Sequence, residues 1–239
     1  MTFDGRHIVR TASLPGMGST EESAEAAYDT LRDGGIVLLP TDVGYGLVAC
    51  SDEAIGRIYE LKGRPQEKAC VTVANAAILD DVAVLADERL RVWIDQMARR
   101  TPIAVINRVR PDSRLLARLS PFALGQATTH GTIATFLNAG ALVSEIAELA
   151  LVDHRIVVGS SANLAFTGNN YRLADVPAAI RGSVDLVIDG GDARYENPER
   201  LATTILDLTT YQFRRIGIAA AEIQASWQAF SSAELGIAV

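Results

Sequence analysis

The stretch GGIVLLPTDVGYGLVACSDEAIGRIYELKGRP, residues 34–65, is the most informative part of the sequence. Its apolar run, residues 36–39, predicts a short buried strand that ends at Pro40. The following TDVGYG, residues 41–46, combines residue types that allow a sharp turn with hydroxyl, carboxylate and phenol groups. Together these features predict a strand that leads into the loop of a functional site.

A helix is expected after this loop, and two cations stand at its end. Ser51 is the expected N-cap, the helix covers residues 52–61, and KGRP follows at residues 62–65. Basic side chains at a helix C-terminus often do no more than offset the negative end of the helix dipole. The polar loop one helix away favours a second interpretation, in which Lys62 and Arg64 bind an anionic small molecule.

The bulk composition limits the class of protein. A chain of 239 residues with 49% hydrophobic residues fits one domain with a sizeable core. The 22 basic and 29 acidic residues give a net charge of −7, which argues against a general nucleic-acid or anionic-membrane binder. The opening MTFDGRHIVR does not resemble a signal peptide, and no apolar run reaches the roughly 20 residues of a membrane span. We therefore expect a cytoplasmic protein without a membrane partner.

The cysteines and histidines indicate neither a disulfide framework nor a metal site. Cys50 and Cys70 are too few for such a framework and are expected to be buried thiols in a reducing compartment. His7, His130 and His154 are scattered and have no acidic or cysteine residues at ligand spacing, so no metal ligand is expected.

Strand-like and helix-like segments alternate along the chain, which predicts an α/β fold. We expect an N-terminal arm at residues 1–18, one domain at 19–218 and a helical C-terminal tail at 219–239. Ser19 and Glu22 form the expected capping box of a first helix that ends near Asp33. Strands are expected at 36–39, 70–74, 103–106, 132–137, 156–158, 186–188, 203–208 and 211–216, and further helices at 52–61, 76–85, 88–99, 141–151 and 173–180.

Five strings of the sequence resemble the YrdC-type family, the threonylcarbamoyl-adenylate synthases. PTDVGYGL, residues 40–47, resembles the family's P-T-[ED]-T-x-Y-G-L loop, and KGRP resembles its K-x-R-P helix end. The later matches, in the family's order, are SSAN at 160–163 with Gly168 for S-A-N-x-S-G, TTILD at 203–207 for S-T-V-x-D, and RIG at 215–217 for R-x-G. The resemblance therefore covers nearly the whole chain.

The resemblance implies a fold, a reaction and a set of partners. The fold is a twisted, mixed sheet with flanking helices and a concave ligand site. The reaction joins an amino acid or amine, bicarbonate and ATP to give a carbamoyl-adenylate and pyrophosphate, as in the formation of threonylcarbamoyladenosine in tRNA. ATP would arrive with Mg²⁺ as a substrate complex, and no tightly bound cofactor is implied. Proteins of tRNA modification are the implied protein partners.

The same resemblance assigns roles to individual residues. The catalytic cations are Lys62 and Arg64, which would contact carbamate or phosphate groups by charge and hydrogen bonds. The substrate side is assigned to Thr41 and Tyr45. Nucleotide binding is assigned to Ser161, Asn163, Thr204 and Arg215.

Ordinary structural explanations exist for several of these residues. The SSAN string can be a strand-to-loop turn, because Ser and Asn favour local hydrogen bonds there. Tyr45 can be a core aromatic with a nearby partner for its hydroxyl. Thr204 can be an ordinary β-branched strand residue.

The sequence also departs from the family pattern. Val43 replaces the second threonine of the first motif, and Ala69-Cys70 stands where the family has a Pro-Leu pair. TPIA, residues 101–104, lacks the glycine and threonine of P-G-P-x-T. TIATFLN, residues 132–138, lacks the arginine of R-x-P, so we expect weak ATP binding unless another cation replaces it. The candidates for that replacement, which the sequence does not place, are Arg108, Arg110 and Arg114.

Three functions remain open at this point. The first is a carbamoyl-adenylate synthase, either the standard enzyme or one with an altered amine substrate. The second is a carbamoyltransferase with a different acceptor. The third is a non-catalytic nucleotide- or RNA-binding module that retains the fold.

Overall fold

A mixed β-sheet forms the framework of the protein. The computed structural model describes residues 8–10, 19–164 and 167–236. Parallel and antiparallel strand pairs both occur, which confirms the expected α/β fold with a mixed sheet. The strands of the described residues are β1 Ile8–Arg10, β2 Val37–Thr41, β3 Gly44–Ala49, β4 Val71–Val73, β5 Ala83–Val84, β6 Ile103–Val109, β7 Thr128–Thr129, β8 Thr132–Leu137, β9 Val158–Ser161, β10 Leu186–Asp189, β11 Ile205–Asp207 and β12 Gln212–Arg215.

The strand order brings distant parts of the chain together. Across the sheet the order is β1-β10-β2-β3-β9-β4-β8-β6-β11-β12, with β5 paired to β6 and β7 paired to β8. The hairpin of β2 and β3 therefore lies beside β9. In the same way, β11 lies parallel to β6.

Helices pack around this sheet, and several begin at the caps that the sequence predicts. The capping box of Ser19 and Glu22 is confirmed, and Ser51 caps the second helix. No helix in the described part of the chain is long and apolar enough to cross a lipid bilayer. The helices are α1 Thr20–Arg32, α2 Asp52–Lys62, α3 Ala76–Val82, α4 Glu88–Ala98, α5 Pro121–Ala127, α6 Ala141–Val152, α7 Ala178–Arg181 and α8 Ala220–Phe230.

The expected site loop is mostly strand. Only Asp42 and Val43 separate β2 from β3, and all six residues of β3 are buried. Two glycines give GYGLVA a weak strand propensity, which is why the sequence alone did not indicate a strand. Gly44 has a φ of 134°, and a Cβ there would lie 2.9 Å from the carbonyl oxygen of Asn170. The glycine therefore permits both the backbone conformation and the close approach of the neighbouring segment.

Other segments also differ from the expected pattern. The strand expected at 156–158 is β9, Val158–Ser161, and α5 was not expected. The helix expected at 173–180 is divided into a 3₁₀ turn, Leu173–Asp175, and α7, because Pro177 stands at the N-cap of α7 and lacks the N–H that a continuous helix needs. The helix expected at 76–85 ends at Val82, where β5 pairs with β6. Within the expected N-terminal arm, β1 pairs with β10. The rest of that arm, including His7, lies outside the described residues.

Candidate functional site

A cavity of about 600 Å³ opens on one face of the sheet. Cross-strand neighbours form its floor, because residues that pair directly across strands share a face. One row pairs Val73, Phe136, Ala104 and Ile205 across β4, β8, β6 and β11. The adjacent rows are Ala134–Ile106–Asp207, Val48–Gly159–Val71 and Leu39–Gly46–Ser161.

Arg64 lines the cavity immediately after the left-handed C-cap of α2, Gly63. Its Nε donates to the carbonyl of Lys68 at 3.0 Å, and its two terminal nitrogens donate to the carbonyl of Ala69 at 2.6 Å and the hydroxyl of Ser160 at 3.4 Å. The guanidinium is thus held in place by uncharged acceptors. Its positive charge remains available to a ligand in the cavity.

Lys68 and Arg215 line the same cavity. Burial lowers the pKa of the Lys68 ammonium, and the positive charges of Arg64 and Arg215 lower it further. Arg215 donates from Nε to the carbonyl of Thr203 at 2.7 Å, and its partial enclosure lowers the pKa of its guanidinium. Across the described residues, none of these three cations forms an ion pair. Three adjacent cations without an ion-pair partner concentrate positive charge on this part of the cavity wall.

Sequence reasoning did not select Lys68. A signal for it was nonetheless present, because Lys62 and Lys68 are the only lysines in a sequence that otherwise uses arginine for its basic residues. Lys62 is the last residue of α2, and Lys68 follows six residues later in the loop that leads to β4.

A fourth cation, Arg214, is already neutralised. Its Nε and a terminal nitrogen contact one carboxylate oxygen of Asp207 at 2.9 and 2.8 Å. Burial favours a raised pKa for Asp207, but hydrogen bonds from Thr209 and Arg214 outweigh it and lower the pKa. Asp207 therefore does not cancel the charge of the other three cations.

Lys62 is buried beneath the cavity rather than exposed in it. Its side chain is 5% exposed, and Nζ donates to the carbonyl of Ser161 and to the carbonyl and side-chain oxygens of Asn163, the last two at 2.8 and 3.0 Å. Burial lowers the pKa of Lys62 to about 8, and the charge of Arg64 adds to the shift. The structure thus places Lys62 where it positions the 161–163 segment, and its contact with substrate stays a prediction.

The side chain of Asn163 also stabilises the 161–163 segment. Its side-chain oxygen accepts from Ser161 Oγ at 2.5 Å as well as from Lys62, and its Nδ2 donates to the carbonyl of Gly168 at 2.8 Å. Ser161 lines the cavity, whereas Asn163 does not contribute to its wall. The expected pair therefore divides into one cavity residue and one residue that orders the loop.

The expected substrate residues lie at the β2–β3 end of the cavity. Thr41 Oγ donates to the carbonyl of Gly44 at 2.6 Å, which closes the turn. The hydroxyl of Tyr45 donates to Asp189 or to the carbonyl of Gly191, and it accepts from the N–H of Gly190. Tyr45 as a whole is 1% exposed. Burial raises the pKa of this phenol well above its usual range. Both residues border the cavity while their hydroxyls bind protein groups.

Thr204 is fully buried and its neighbour Thr203 faces the cavity instead. Thr204 Oγ donates to the carbonyl of Ile218 at 2.8 Å and accepts from the N–H of Gly217 at 3.0 Å. A Cβ at Gly217 would lie 2.0 Å from the carbonyl oxygen of Ala202. Thr204 and Gly217 therefore lock two backbone segments together behind Arg215.

The positions that depart from the family pattern form apolar wall. Val43, Ala104 and Phe136 all line the cavity and are 5%, 1% and 9% exposed. On β8 the cavity-facing residues are Thr132, Ala134 and Phe136. The cavity thus combines a cationic side with an apolar floor, as expected for a site that holds an anionic organic molecule.

Fold and site together define an α/β protein with a concave cavity that carries cations on one side, and comparison with known proteins places it in a family. The family model Sua5_yciO_yrdC, described as "Telomere recombination", matches residues 29–217. The chain therefore belongs to the Sua5/YciO/YrdC family. This confirms the resemblance on which the site assignments rest.

Two curated relatives have the same name. A threonylcarbamoyl-AMP synthase of Pyrococcus abyssi is 27% identical over 183 residues, which are 76% of this chain and 49% of that protein. One of Pseudomonas aeruginosa is 26% identical over 195 residues, which are 80% of this chain and 96% of that protein. The chain therefore spans about half the length of the first relative and nearly all of the second.

A solved structure shares the fold. The crystal structure of P. abyssi Sua5 complexed with L-threonine superposes with a TM-score of 0.71 at 23% sequence identity. The match covers 92% of this chain and 60% of that chain. Residues beyond the family-model match, including β1 and α8, also belong to the described structure here.

Proposed function

We propose that this protein is a carbamoyl-adenylate synthase. It joins an amino acid or amine, bicarbonate and ATP to give a carbamoyl-AMP, pyrophosphate and water. The observation that carries the proposal is the set of three cations, Arg64, Lys68 and Arg215, which line one cavity without a carboxylate partner among the described residues. The names of the curated relatives support the same reaction class.

The reaction requires positioning and fixed charge more than a protein nucleophile. The amine attacks the carbon of bicarbonate, and loss of water leaves a carbamate. A carbamate oxygen then attacks the α-phosphorus of ATP, and the bond to the β-phosphate oxygen breaks to release pyrophosphate. Negative charge accumulates on the phosphate oxygens during this step, and Arg64, Lys68 and Arg215 are placed to stabilise it.

The remaining site residues keep this arrangement rigid. Lys62 and Asn163 hold the segment that carries Ser161 on the cavity wall. Mg²⁺ would arrive with ATP, bound mainly by phosphate and water oxygens. Asp207, a carboxylate on the wall, is already engaged by Arg214 and Thr209.

The apolar floor supports an altered preference for the amine. The relative whose structure contains L-threonine makes threonine the first amine to test. Transfer of the activated carbamoyl group to tRNA, with the help of tRNA-modification proteins, is the downstream step proposed for a threonine-specific enzyme. We further propose that this work takes place in the cytoplasm.

The test combines binding with turnover. ATP is titrated into the protein by calorimetry, and pyrophosphate release is then measured with bicarbonate and a panel of amino acids and amines. Because the chain has only two lysines, acylation with an amine-reactive reagent and peptide mapping reports on the site directly. ATP should protect exposed Lys68, whereas buried Lys62 should react slowly with or without ATP.

The outcomes separate the alternatives. Pyrophosphate release that depends on bicarbonate and an amine supports the synthase. ATP binding without pyrophosphate from any amine would favour the non-catalytic nucleotide-binding module. Turnover of a preformed carbamoyl phosphate, with no reaction from bicarbonate, would favour the carbamoyltransferase.

A further inference from the structure

One cation on the cavity face of the sheet has no assigned role. Arg108 lies on β6, where side chains alternate between faces, so it shares a face with Ala104 and Ile106. Both of those residues line the cavity. Exposure increases along the series from Ala104, which is buried, through Ile106, which is half-buried, to Arg108, which is exposed. Arg108 is not part of the cavity wall itself, but it lies on the same face of the sheet, just beyond Ile106.

The strand partner of Arg108 places it beside the cavity wall, at a position that we call the mouth of the cavity. Arg108 pairs directly with Thr132 of β8, and Thr132 lines the cavity. The rise of a strand separates the Cα atoms of Ala104 and Arg108 by roughly 13 Å. Arg108 is thus at the far end of the apolar floor from Ala104 and Phe136.

Arg108 also lacks a protein partner. Within the described residues its guanidinium forms no hydrogen bond or ion pair. Of the other two arginines of this region, Arg110 donates from Nε to the carbonyl of Asp80 at 3.0 Å. Arg114 lies beyond the end of β6, on a segment whose backbone is held by a hydrogen bond from the N–H of Arg114 to Asp81. Arg108 is the one of the three candidate replacements that the sheet register places on the cavity face.

A second unpartnered polar group stands beside it. His130 and Gly131 form the two-residue turn between β7 and β8, with φ angles of 48° and 73° that are typical of a type I′ hairpin. The turn places His130 on the cavity wall, next to the Thr132 that pairs with Arg108. Its imidazole is exposed and makes no hydrogen bond with the described residues. Arg108 and His130 together offer hydrogen-bond donors to an anion at the mouth.

Neither of the two carboxylates on the described cavity wall forms an ion pair with Arg108. Asp207 of β11 pairs with Ile106, which is two residues from Arg108 along β6. The carboxylate of Asp207 is already paired with Arg214. Glu67 lines the cavity next to Lys68, on the segment that precedes β4. A cation at the mouth, separated from the inner cations by apolar floor, suits a ligand with negative charge at two separated points.

We propose that Arg108 and His130 form a subsite for the terminal phosphates of a nucleoside triphosphate. The proposal rests on the proposed function, which places the α-phosphate near Arg64, Lys68 and Arg215. The triphosphate is the extended polyanionic part of ATP, and the mouth is where the leaving pyrophosphate must exit. The cavity-facing residues of β8 are all uncharged, namely Thr132, Ala134 and Phe136. Arg108 of β6 then supplies the positive charge that β8 lacks.

The test compares three ligands and three variants. ATP, AMP and pyrophosphate, each with Mg²⁺, are titrated by calorimetry into wild type, Arg108→Gln and His130→Gln. Arg99→Gln is the matched control, because Arg99 is exposed at the C-cap of α4 and its removal changes the net charge equally. Thermal unfolding of every variant establishes that it is folded.

The subsite predicts a ligand-specific loss. Arg108→Gln should raise the Kd for ATP and for pyrophosphate about tenfold or more, with the Kd for AMP within about twofold of wild type. His130→Gln should give a smaller loss in the same direction, and Arg99→Gln should give none.

Other outcomes overturn the proposal. Unchanged ATP affinity in Arg108→Gln does so, as do equal losses for ATP and AMP, which indicate a general effect. A separate titration with tRNA completes the test, because weakened tRNA binding with unchanged ATP and pyrophosphate affinity would assign Arg108 to RNA instead. If wild type binds ATP but releases no pyrophosphate with any amine, the proposed reaction is wrong. The comparison of ATP with AMP affinity would still decide whether the subsite exists.

Discussion

At the scale of single residues, one motif contains two cations with different environments. KGRP places Lys62 and Arg64 two residues apart, and the sequence analysis predicts that both contact an anionic ligand. In the structure Lys62 is 5% exposed, because the end of α2 packs against a segment that follows 99 residues later. Burial of this kind depends on tertiary packing, so no local pattern distinguishes the two residues.

The burial of Lys62 predicts a pH dependence of stability. Its pKa is about 8 in the folded protein and 10.5 as an unperturbed lysine. Between these values the unfolded chain binds a proton that the folded protein has released, so the stability contributed by Lys62 rises with pH across this window. Relative to Lys62→Met, wild type should gain about 3 kcal/mol in unfolding free energy from pH 8 to pH 10.5.

Urea unfolding of both proteins at several pH values measures this difference. Every other titratable group is present in both proteins, so its contribution cancels in the comparison. Parallel stability curves for wild type and Lys62→Met would contradict the assignment of a lowered pKa to Lys62. In Arg64→Gln the pH dependence should be weaker than in wild type, because the charge of Arg64 helps to lower the pKa of Lys62.

At the scale of elements, the β11–β12 region depends on a glycine that the family motif contains. A Cβ at Gly217 would lie 2.0 Å from the carbonyl oxygen of Ala202 and 2.9 Å from the nitrogen of Thr204. Both are backbone atoms, so neither can move aside as a flexible side chain does. Gly217→Ala should therefore destabilise the protein by about 3 kcal/mol and displace the adjacent Arg215.

Denaturant unfolding and ATP titration of the same variant measure both effects. Gly125→Ala in α5 is the control, because a Cβ there meets nothing within 4 Å, and alanine should stabilise the helix by up to about 1 kcal/mol. Wild-type stability in Gly217→Ala would show that the two segments are less tightly packed than the structure indicates.

The C-terminal helix is a further element on which the site depends. Trp227 of α8 is fully buried and contacts Trp93, Tyr211 and Phe230, with ring centroids 5.1, 5.8 and 5.9 Å away. Tyr211 lies in the turn before β12, the strand that ends at Arg215. Although α8 lies beyond the family-model match, it therefore supports the strand that carries a site cation.

Trp227→Ala should cost about 3–5 kcal/mol of unfolding free energy. Chemical denaturation measures the loss, and Gln224→Ala, an exposed residue of the same helix, should stay within about 0.5 kcal/mol of wild type. A loss below 1 kcal/mol for Trp227→Ala would mean that α8 is not part of the folded core.

At the scale of the whole molecule, the sequence predicted the elements better than their arrangement. Caps, apolar runs and the ordered motifs indicated most strands and helices, because these signals are local. The cavity floor arises instead from register between strands such as β4, β8, β6 and β11, which no local signal specifies. For the same reason Arg108 was a candidate without a position until its pairing with Thr132 was known.

The arrangement of the whole cavity predicts weak selection among amines. The wall at Val43, Ala104 and Phe136 is apolar, and the neighbouring hydroxyl of Thr41 is bound to the carbonyl of Gly44. An apolar wall discriminates poorly between a substrate hydroxyl and a methyl group, whereas a hydrogen-bonding site discriminates strongly. Pyrophosphate release with threonine should therefore be less than about tenfold faster than with valine at equal concentrations.

A reverse substitution tests the cause of that weak selection. Val43→Thr adds a hydroxyl at nearly constant volume and should raise the preference for threonine over valine by about tenfold, the effect of one hydrogen bond. Val48→Thr is the matched control, because Val48 lines the cavity on the far end of β3 and should leave the preference unchanged. A wild-type preference for threonine of about a hundredfold would instead mean that another polar group of the cavity recognises the hydroxyl.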